Sequence, residues 1–357
     1  MRLAFLISGP QVPSSRFRVL QFLPRLRELG HECLVLPSVP AKYDSLPLLG
    51  FRLTGLLKRR NRRRDLERLR RWEPDVVVLE RELFDDGSHD AEQSLRRAVR
   101  RIVLDIDDGL FVSRPAKFAA LCALSDHVVV GNELLAARAR AINPRVTVVP
   151  TCVDPGRYAG GAPRTAAPGA TRVLGWTGTS WNVRFLEILR GPLAALSREF
   201  PLELRVIAES ERALRLLALG RDGVAARFVP WSEATEAADL QAFDIGLMPL
   251  PDDEWTRHKC GLKVLQYMAA GVPAVASPVG VNAEIIRHGI NGWLAGTPEE
   301  WTSVLRLLLS APTPPAAVLA EARRTVEERY SIDAQLPRLL ACLEAVSAGP
   351  PGSVAAG

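Results

Sequence analysis

Apolar runs of five or six residues, each followed by an amphipathic stretch, recur along most of the chain. RLAFLIS at residues 2–8 predicts a first strand, GPQVPSSRFR a loop, and FRVLQFLPRLRELG a helix ended by Gly30. HECLVLPS, PDVVVLE, IVLDID, DHVVVGN and NPRVTVVPT predict further strands before residue 152. Such runs, separated by helices, belong to a parallel sheet covered on both faces. The alternation pauses at residues 155–171, PGRYAGGAPRTAAPGAT, which hold no apolar period and predict a linker. It resumes with strands at TRVLGWTG, LELRVIAE, VAARFVPW, the end of LQAFDIGLMPL, VPAVAS and GINGWLAG, and with a helix over FLEILRGPLAALSREF. Helical patterns follow at residues 298–309 and from about Pro315 to Val346, with a break near Ser331. The expectation is an α/β chain of two doubly wound domains, 1–154 and 172–330, joined by 155–171. A helix at 331–346 and a disordered tail at 347–357 complete it. Two such domains in series place a ligand cleft between the carboxyl ends of their sheets.

One stretch departs from ordinary helix chemistry. KCGLKVLQYMAAG, Lys259 to Gly271, reads as a helix with Leu262, Leu265 and Ala269 on one face, stopped by Gly271 and Pro273. Arg257, His258, Lys259 and Lys263 crowd its expected first turn, where the helix dipole is already positive. Cations set against the dipole cost stability unless an anion lies between them. The pattern therefore suits a phosphate, with a solvated basic turn as the alternative.

Composition adds bounds. At 357 residues, 47% apolar and 24% charged, the chain has room for two cores and the make-up of a soluble protein. No apolar run reaches the roughly 20 residues of a membrane span, and MRLAFLISGP is too short for a signal peptide. Cys33, Cys122, Cys152, Cys260 and Cys342 are scattered without metal-ligand spacing, which fits a reducing cytoplasm. The formal charge of +6 is concentrated between Arg52 and Arg71, where ten Lys/Arg face two acids, Asp65 and Glu67. With Leu53, Leu56, Leu57, Leu66 and Leu69 interleaved, residues 52–71 suggest basic helices on an anionic membrane surface, or else a solvated helix. Few aromatics and no nucleic-acid motif accompany them, so nucleic acid is not expected as a partner.

The stretch FDIGLMPLPDDEWTRHKCGLKVLQYMAAGVPAVASPVGVNAEIIRHGINGWLA resembles the nucleotide-sugar site of family 4 glycosyltransferases. The matching parts are Pro249, Gly261–Leu262, Gln266, Met268–Pro273, Gly280, Glu284 and Asn291–Gly292. The lysines and the Tyr-Met-Ala that follows resemble a subgroup with a lysine-rich donor helix. The resemblance implies the GT-B fold, in which two Rossmann-like domains face each other across a cleft. It also implies that the last helix packs back on the first domain. A nucleoside-diphosphate sugar would be the co-substrate, with no further cofactor and no metal, and transfer to an acceptor hydroxyl would retain configuration. Two glutamates, eight positions apart in the family, are His258 and Gln266 here. Gln266 keeps hydrogen-bonding capacity toward ribose, whereas His258, a catalytic candidate with Lys259 and Lys263, alters charge and reach. The family's Arg and Lys after the first strand of this domain are replaced by GWTGTSWN, so Lys259 and Lys263 are expected to supply the charge for the diphosphate. Leu262 and Gly280 enter the donor set through the motif itself.

Gly175, Gly178 and Thr179 are expected on the turn after the second domain's first strand, as a phosphate-approaching turn or a merely tight one. Trp231, after Pro230, would stack on the base or pack in the core. On the acceptor side, Arg16 and Arg18 of SRFR would hold a phosphate or lie on the surface. Asp105, Asp107 and Asp108 end the strand IVLDIDDG. The resemblance puts a His-Asp pair there, which makes Asp107 and Asp108 catalytic candidates on the acceptor hydroxyl; helix capping is the alternative. Glu80 and Glu82 are weaker candidates for the same floor. A dehalogenase or metal-dependent Asp-x-Asp reading of this strand lacks its companion elements, and no Walker, zinc or Gly-x-Ser-x-Gly signature occurs. The expected product is surface polysaccharide or a glycolipid, made on a carbohydrate or lipid-linked acceptor at the inner face of the membrane. A non-catalytic nucleotide-sugar-binding subunit, an epimerase or a phosphorylase on the same fold are the rival readings.

Overall fold

The computed structural model describes residues 1–44, 50–159, 164–165, 167 and 169–349. Two compact units are present, Met1–Thr151 with Gln335–Gly357, and Cys152–Ala334.

The first unit is built on β1 (Arg2–Ile7), β2 (Glu32–Pro37), β3 (Val76–Glu80), β4 (Ile102–Ile106), β5 (His127–Val130) and β6 (Val146–Val148). They form one parallel sheet in the order β2-β1-β3-β4-β5-β6. The second unit repeats the plan with β7 (Arg172–Thr177), β8 (Leu202–Ala208), β9 (Ala225–Pro230), β10 (Ile245–Met248), β11 (Ala274–Ala276) and β12 (Trp293–Leu294). Its parallel order is β12-β11-β10-β7-β8-β9. The predicted doubly wound α/β architecture is thus present twice, and every predicted strand forms. The central strands β3, β4 and β10 are buried at every residue, as a strand covered by helices on both faces must be.

The helices depart from prediction where proline or glycine intervenes. Helix α1 (Pro13–Arg18) occupies part of the expected loop 9–18, with Pro13 in its first turn, where a missing N–H costs nothing. The single helix expected over residues 17–30 is instead α1, a 3-10 turn Leu20–Phe22 and a helix Leu23–Glu28 that restarts around Pro24. Pro192 likewise divides 180–196 into a 3-10 helix, Ser180–Leu189, and a helix, Arg190–Leu196. The basic segment is one helix, α2 (Gly50–Trp72), rather than several. The last helices run Ala316–Arg329 and Ile332–Ala348, so residues 347 and 348 are helical and not a tail; residues 350–357 lie outside the described residues. Within the expected linker, Pro155–Tyr158 is a 3-10 turn with Tyr158 buried, and 160–163 lie outside the described residues.

Candidate functional site

In the second unit the chain moves from β7 outward through β8 to β9, then returns to β7's other side as β10. The carboxyl ends of β7 and β10 therefore flank a topological switch point, the place where open α/β sheets leave a crevice. Gly178 follows β7 there, and Pro249 and Leu250 follow β10, with the Leu250 N–H donating to Ser277 Oγ at 2.9 Å.

The lysine-rich segment is two helices and not one. Helix α3 (Glu254–Arg257) starts in a capping box made by Asp253 and Thr256 and stops at His258. Helix α4 (Leu262–Ala269) starts after Gly261, which adopts a left-handed φ of 69°. A β-carbon on Gly261 would come 2.5 Å from Ile285 Cδ1, so space as well as φ requires glycine. Arg257, His258 and Lys259 thus precede the α4 N-terminus, and only Lys263 lies in its first turn. Gly261 at the N-cap gives α4 no side-chain cap, and the first turn holds no acid, although the leading amides of a helix lack intrahelical acceptors. Arg257 is not part of the local excess of charge, because Asp252 pairs with it at 2.5 and 3.0 Å.

Lys263 crosses the backbone of Gly178: a β-carbon there would lie 2.6 Å from Lys263 Cε and 3.0 Å from Nζ. The lysine's ammonium is 5.2 Å from the centroid of Trp176. Lys259 sits 3.6 Å over the ring of Trp255. Arg184, exposed on the 3-10 helix after β7, has its guanidinium carbon 4.5 Å from Trp181, 5.2 Å from Phe185 and 5.8 Å from Trp255. Among the described residues Arg184 has no acidic partner. Its flat faces are taken by rings, which leaves the edge N–H groups for an anion. Sequence reasoning missed Arg184 and Trp255. The signal available was the spacing of Trp181, Arg184 and Phe185 on one turn of helix.

Other donor candidates are placed differently. Thr179 caps the 3-10 helix, its Oγ1 accepting from Asn182 Nδ2 at 2.9 Å. His258 is buried, with Nδ1 2.6 Å from the Glu254 carbonyl. Gln266 is also buried and donates to Tyr158 Oη at 3.1 Å. Leu262 is the first residue of α4 and half-buried. Gly280 serves packing: at φ 54° a β-carbon would fall 2.3 Å from the Arg257 carbonyl oxygen. Gly175 is not on the turn but inside β7, where a β-carbon would meet the Phe243 ring at 2.0 Å. Trp231 closes β9, the edge strand, with Nε1 donating to Glu236 at 2.9 Å. It lies at a strand that does not border the switch point.

In the first unit, β1 and β3 flank the corresponding switch point. Glu80 holds the β1 turn together there, accepting from Ser8 N at 2.7 Å, Ser8 Oγ at 3.2 Å and Ser15 Oγ at 2.8 Å. Glu82 is buried against Lys42 at 3.0 Å and Arg114 at 3.2 Å. Arg18 and Asp105 form a buried bidentate pair at 2.9 and 2.8 Å, and Arg18 also donates to the Val149 carbonyl at 2.6 Å. Donors and acceptors spent on each other this way hold α1 to β4 and are not available to a substrate, against the acceptor role expected for both. Arg16 is buried too, its guanidinium carbon 4.9 Å from the Phe17 ring. Asp107 and Asp108 are half-exposed and share Arg81, at 2.5 and 3.6 Å. Arg81 itself has a left-handed φ of 58°, a strained state for a side-chain-bearing residue. Burial pushes Asp107 up, but Arg81 outweighs it and holds the carboxyl below its ordinary range. Asp105 goes the other way, because burial outweighs Arg18. Among the described residues no cluster of His, Cys, Asp and Glu has the make-up of a metal site.

Residues 171–311, which span β7 to the helix Pro298–Ser310, match the family model described as glycosyl transferases group 1. No curated protein matches the chain. Among solved structures, sucrose-phosphate synthase from Thermosynechococcus elongatus superposes with a TM-score of 0.73 at 15% identity, covering 97% of this chain and 100% of that one. HepE of Anabaena, solved with UDP-glucose, gives 0.68 at 14% identity, covering 98% and 100%. AviGT4, a glycosyltransferase involved in avilamycin A biosynthesis, gives 0.61 at 16%, covering 97% and 98%. At such identities the likeness is one of fold. The fold is GT-B, two Rossmann-like domains.

Proposed function

We propose that the protein is a glycosyltransferase that moves a sugar from a nucleoside-diphosphate sugar to an acceptor hydroxyl. The observation that carries this reading is Lys263 laid across Gly178 at the β7/β10 switch point, beside an uncapped helix N-terminus. It lies inside the segment that matches glycosyl transferases group 1. HepE, which shares the fold, was solved with UDP and with UDP-glucose, which supports a nucleotide sugar as donor.

In this reading Lys263, the α4 amides and the Gly178 backbone receive the diphosphate, and Lys259 and Arg184 add charge from the Trp255 face. As the glycosidic bond to phosphate breaks, negative charge grows on the leaving diphosphate. Fixed cations and amides stabilise that state more than the ground state, without needing a metal. Departure and attack on one face would retain configuration. His258 fixes the link between α3 and α4 through its Nδ1 contact with the Glu254 carbonyl. Asp107 and Asp108 follow β4 and keep some exposure, so they would accept a proton from an acceptor hydroxyl, and the Arg81 pair fixes their orientation. A carbohydrate or lipid-linked acceptor, in surface polysaccharide or glycolipid assembly at the cytoplasmic face, suits this chemistry.

A second reading, a nucleotide-sugar-binding subunit without catalysis, is favoured by Gln266, whose amide is engaged by Tyr158. The two separate in one experiment. A panel of nucleotides and nucleotide sugars is screened by thermal shift on the wild type and on a Lys259→Ala, Lys263→Ala double variant, with donor hydrolysis followed in parallel. A shift with one diphosphate nucleotide that the double variant loses supports the donor site. Slow release of free sugar in the wild type then supports a transferase, and binding without release supports the subunit. No shift with any nucleotide overturns both.

A further inference from the structure

Helix α2 sorts its cations by direction. Arg62 is buried and donates to the carbonyls of Ile7 at 2.7 Å and Leu36 at 2.8 Å, at the ends of β1 and β2. Lys58 donates to the carbonyls of Lys42 and Asp44, and Arg59 pairs with Asp86 at 2.6 Å. Thr54 and Leu69 are buried on the same side. These contacts fix the helix's rotation, so its opposite face is presented outward by construction. That face carries Arg52, Arg60, Arg63, Arg64, Arg70 and Arg71, all exposed, with Glu67 as its acid. Among the described residues none of these arginines has an acidic partner. Leu53 and Leu56, 51% and 63% exposed, lie on the same face near its N-terminal end. Leu69 is buried and Leu57 and Leu66 are half-buried, so those three are not part of the exposed surface.

We infer that this face of α2 docks on an anionic lipid surface. The helix is about 35 Å long at 1.5 Å per residue, which lets the arginines lie over several headgroups at once. Charge alone would suit any polyanion. The two exposed leucines are the discriminating feature, because an apolar step beside basic residues gains from the acyl boundary and gains nothing on a phosphodiester backbone. No helix among the described residues is long and apolar enough to cross a membrane, so the contact is peripheral. The inference goes beyond sugar transfer and does not depend on it.

The test is flotation of the full chain with phosphatidylcholine vesicles and with vesicles containing phosphatidylglycerol, beside binding to a double-stranded DNA oligomer. Binding to the anionic vesicles alone, released by high salt, is the expected result. Replacing Arg60 and Arg64 by Ala weakens it about 25-fold, at roughly fivefold per residue. Leu53→Ser with Leu56→Ser weakens vesicle binding by about tenfold and leaves DNA binding unchanged. Both pairs are exposed, so thermal melts report that each variant is folded. Absence of binding to anionic vesicles overturns the inference. So does vesicle binding indifferent to the leucines, which with tight DNA binding would assign the face to nucleic acid.

Discussion

Lys263 and Gly178 are in contact only because Gly178 has no side chain: the lysine's Cε passes 2.6 Å from where a β-carbon would stand. Gly178→Ala therefore displaces the tip of Lys263, and it also sets a β-carbon 2.8 Å from Cη2 of the buried Trp176 at a φ of 156°, so folding stability is lost along with the lysine's position. The expected outcome is a donor KM raised by about tenfold, with about 1–3 kcal/mol lost in folding. Gly175→Ala is the contrasting change, because the Phe243 ring it would strike at 2.0 Å is buried and cannot move. It should cost about 1–3 kcal/mol in a denaturant melt. An unchanged donor KM in Gly178→Ala would show that Gly178 serves packing alone, as Gly175 does.

Trp255 supports two cations, Lys259 at 3.6 Å and Arg184 at 5.8 Å. At about 0.5–1 kcal/mol per exposed cation–π contact, loss of both in Trp255→Ala should weaken nucleotide-sugar binding by about fivefold to thirtyfold. Trp255→Phe should retain most of the affinity, since a ring remains. Calorimetric titration of the two variants decides it, and identical affinities would remove Trp255 from the site.

The paired carboxylates of the first unit give a pH signature. Asp107 has a folded pKa below its unfolded one, so its pair with Arg81 contributes stability above about 3.9. That contribution fades as pH falls through the lower folded value. Asp107→Asn should cost about 1–2 kcal/mol at pH 7 and converge with the wild type in strong acid. A gap constant across pH would mean that the loss comes from packing. Asp105 has the opposite sign, since burial raises its folded pKa: its contribution is complete below about 3.9 and is lost as pH rises through the raised value.

Thiol reactivity gives a map of the donor site without a transfer assay. Burial pushes the Cys122 and Cys342 thiols up to about 12, so both should resist alkylation at neutral pH in the folded protein. Cys260, half-buried between Lys259 and the Gly261 cap of α4, should react and be shielded by a saturating nucleotide sugar. Mass spectrometry after timed alkylation reads this directly. An unchanged Cys260 rate would place the donor elsewhere.

The strands were legible because each is a short apolar run, and burial on both faces makes that run continuous. Helix interruptions were less so. Pro24 and Pro192 mark restarts whose pieces share one amphipathic pattern, and the left-handed turn at Gly261 hides within an apparently unbroken KCGLK helix. Glycine was ambiguous at the site for a physical reason. The sequence does not distinguish a backbone bared to a ligand from one bared to a neighbouring ring, and Gly178 and Gly175 differ in just this. Charged residues misled in the same way. Arg18 and Asp105 read as surface chemistry although each neutralises the other in the interior, while Arg81 was passed over beside its acidic neighbours Glu80 and Glu82.

The buried Arg18–Asp105 pair also sets what can be exchanged between this chain and others of its fold. The segment after β1 is a natural place to graft foreign sequence, since such segments vary while the sheet persists. A graft lacking an arginine at position 18 would strand the Asp105 carboxylate inside the protein, and an Asp105 replacement alone would strand the guanidinium. Recombination libraries should therefore keep crossovers out of residues 18–105, or transfer both ends as one cassette. Chimeras that split the pair are expected to drop out at the level of soluble expression, before any activity is measured.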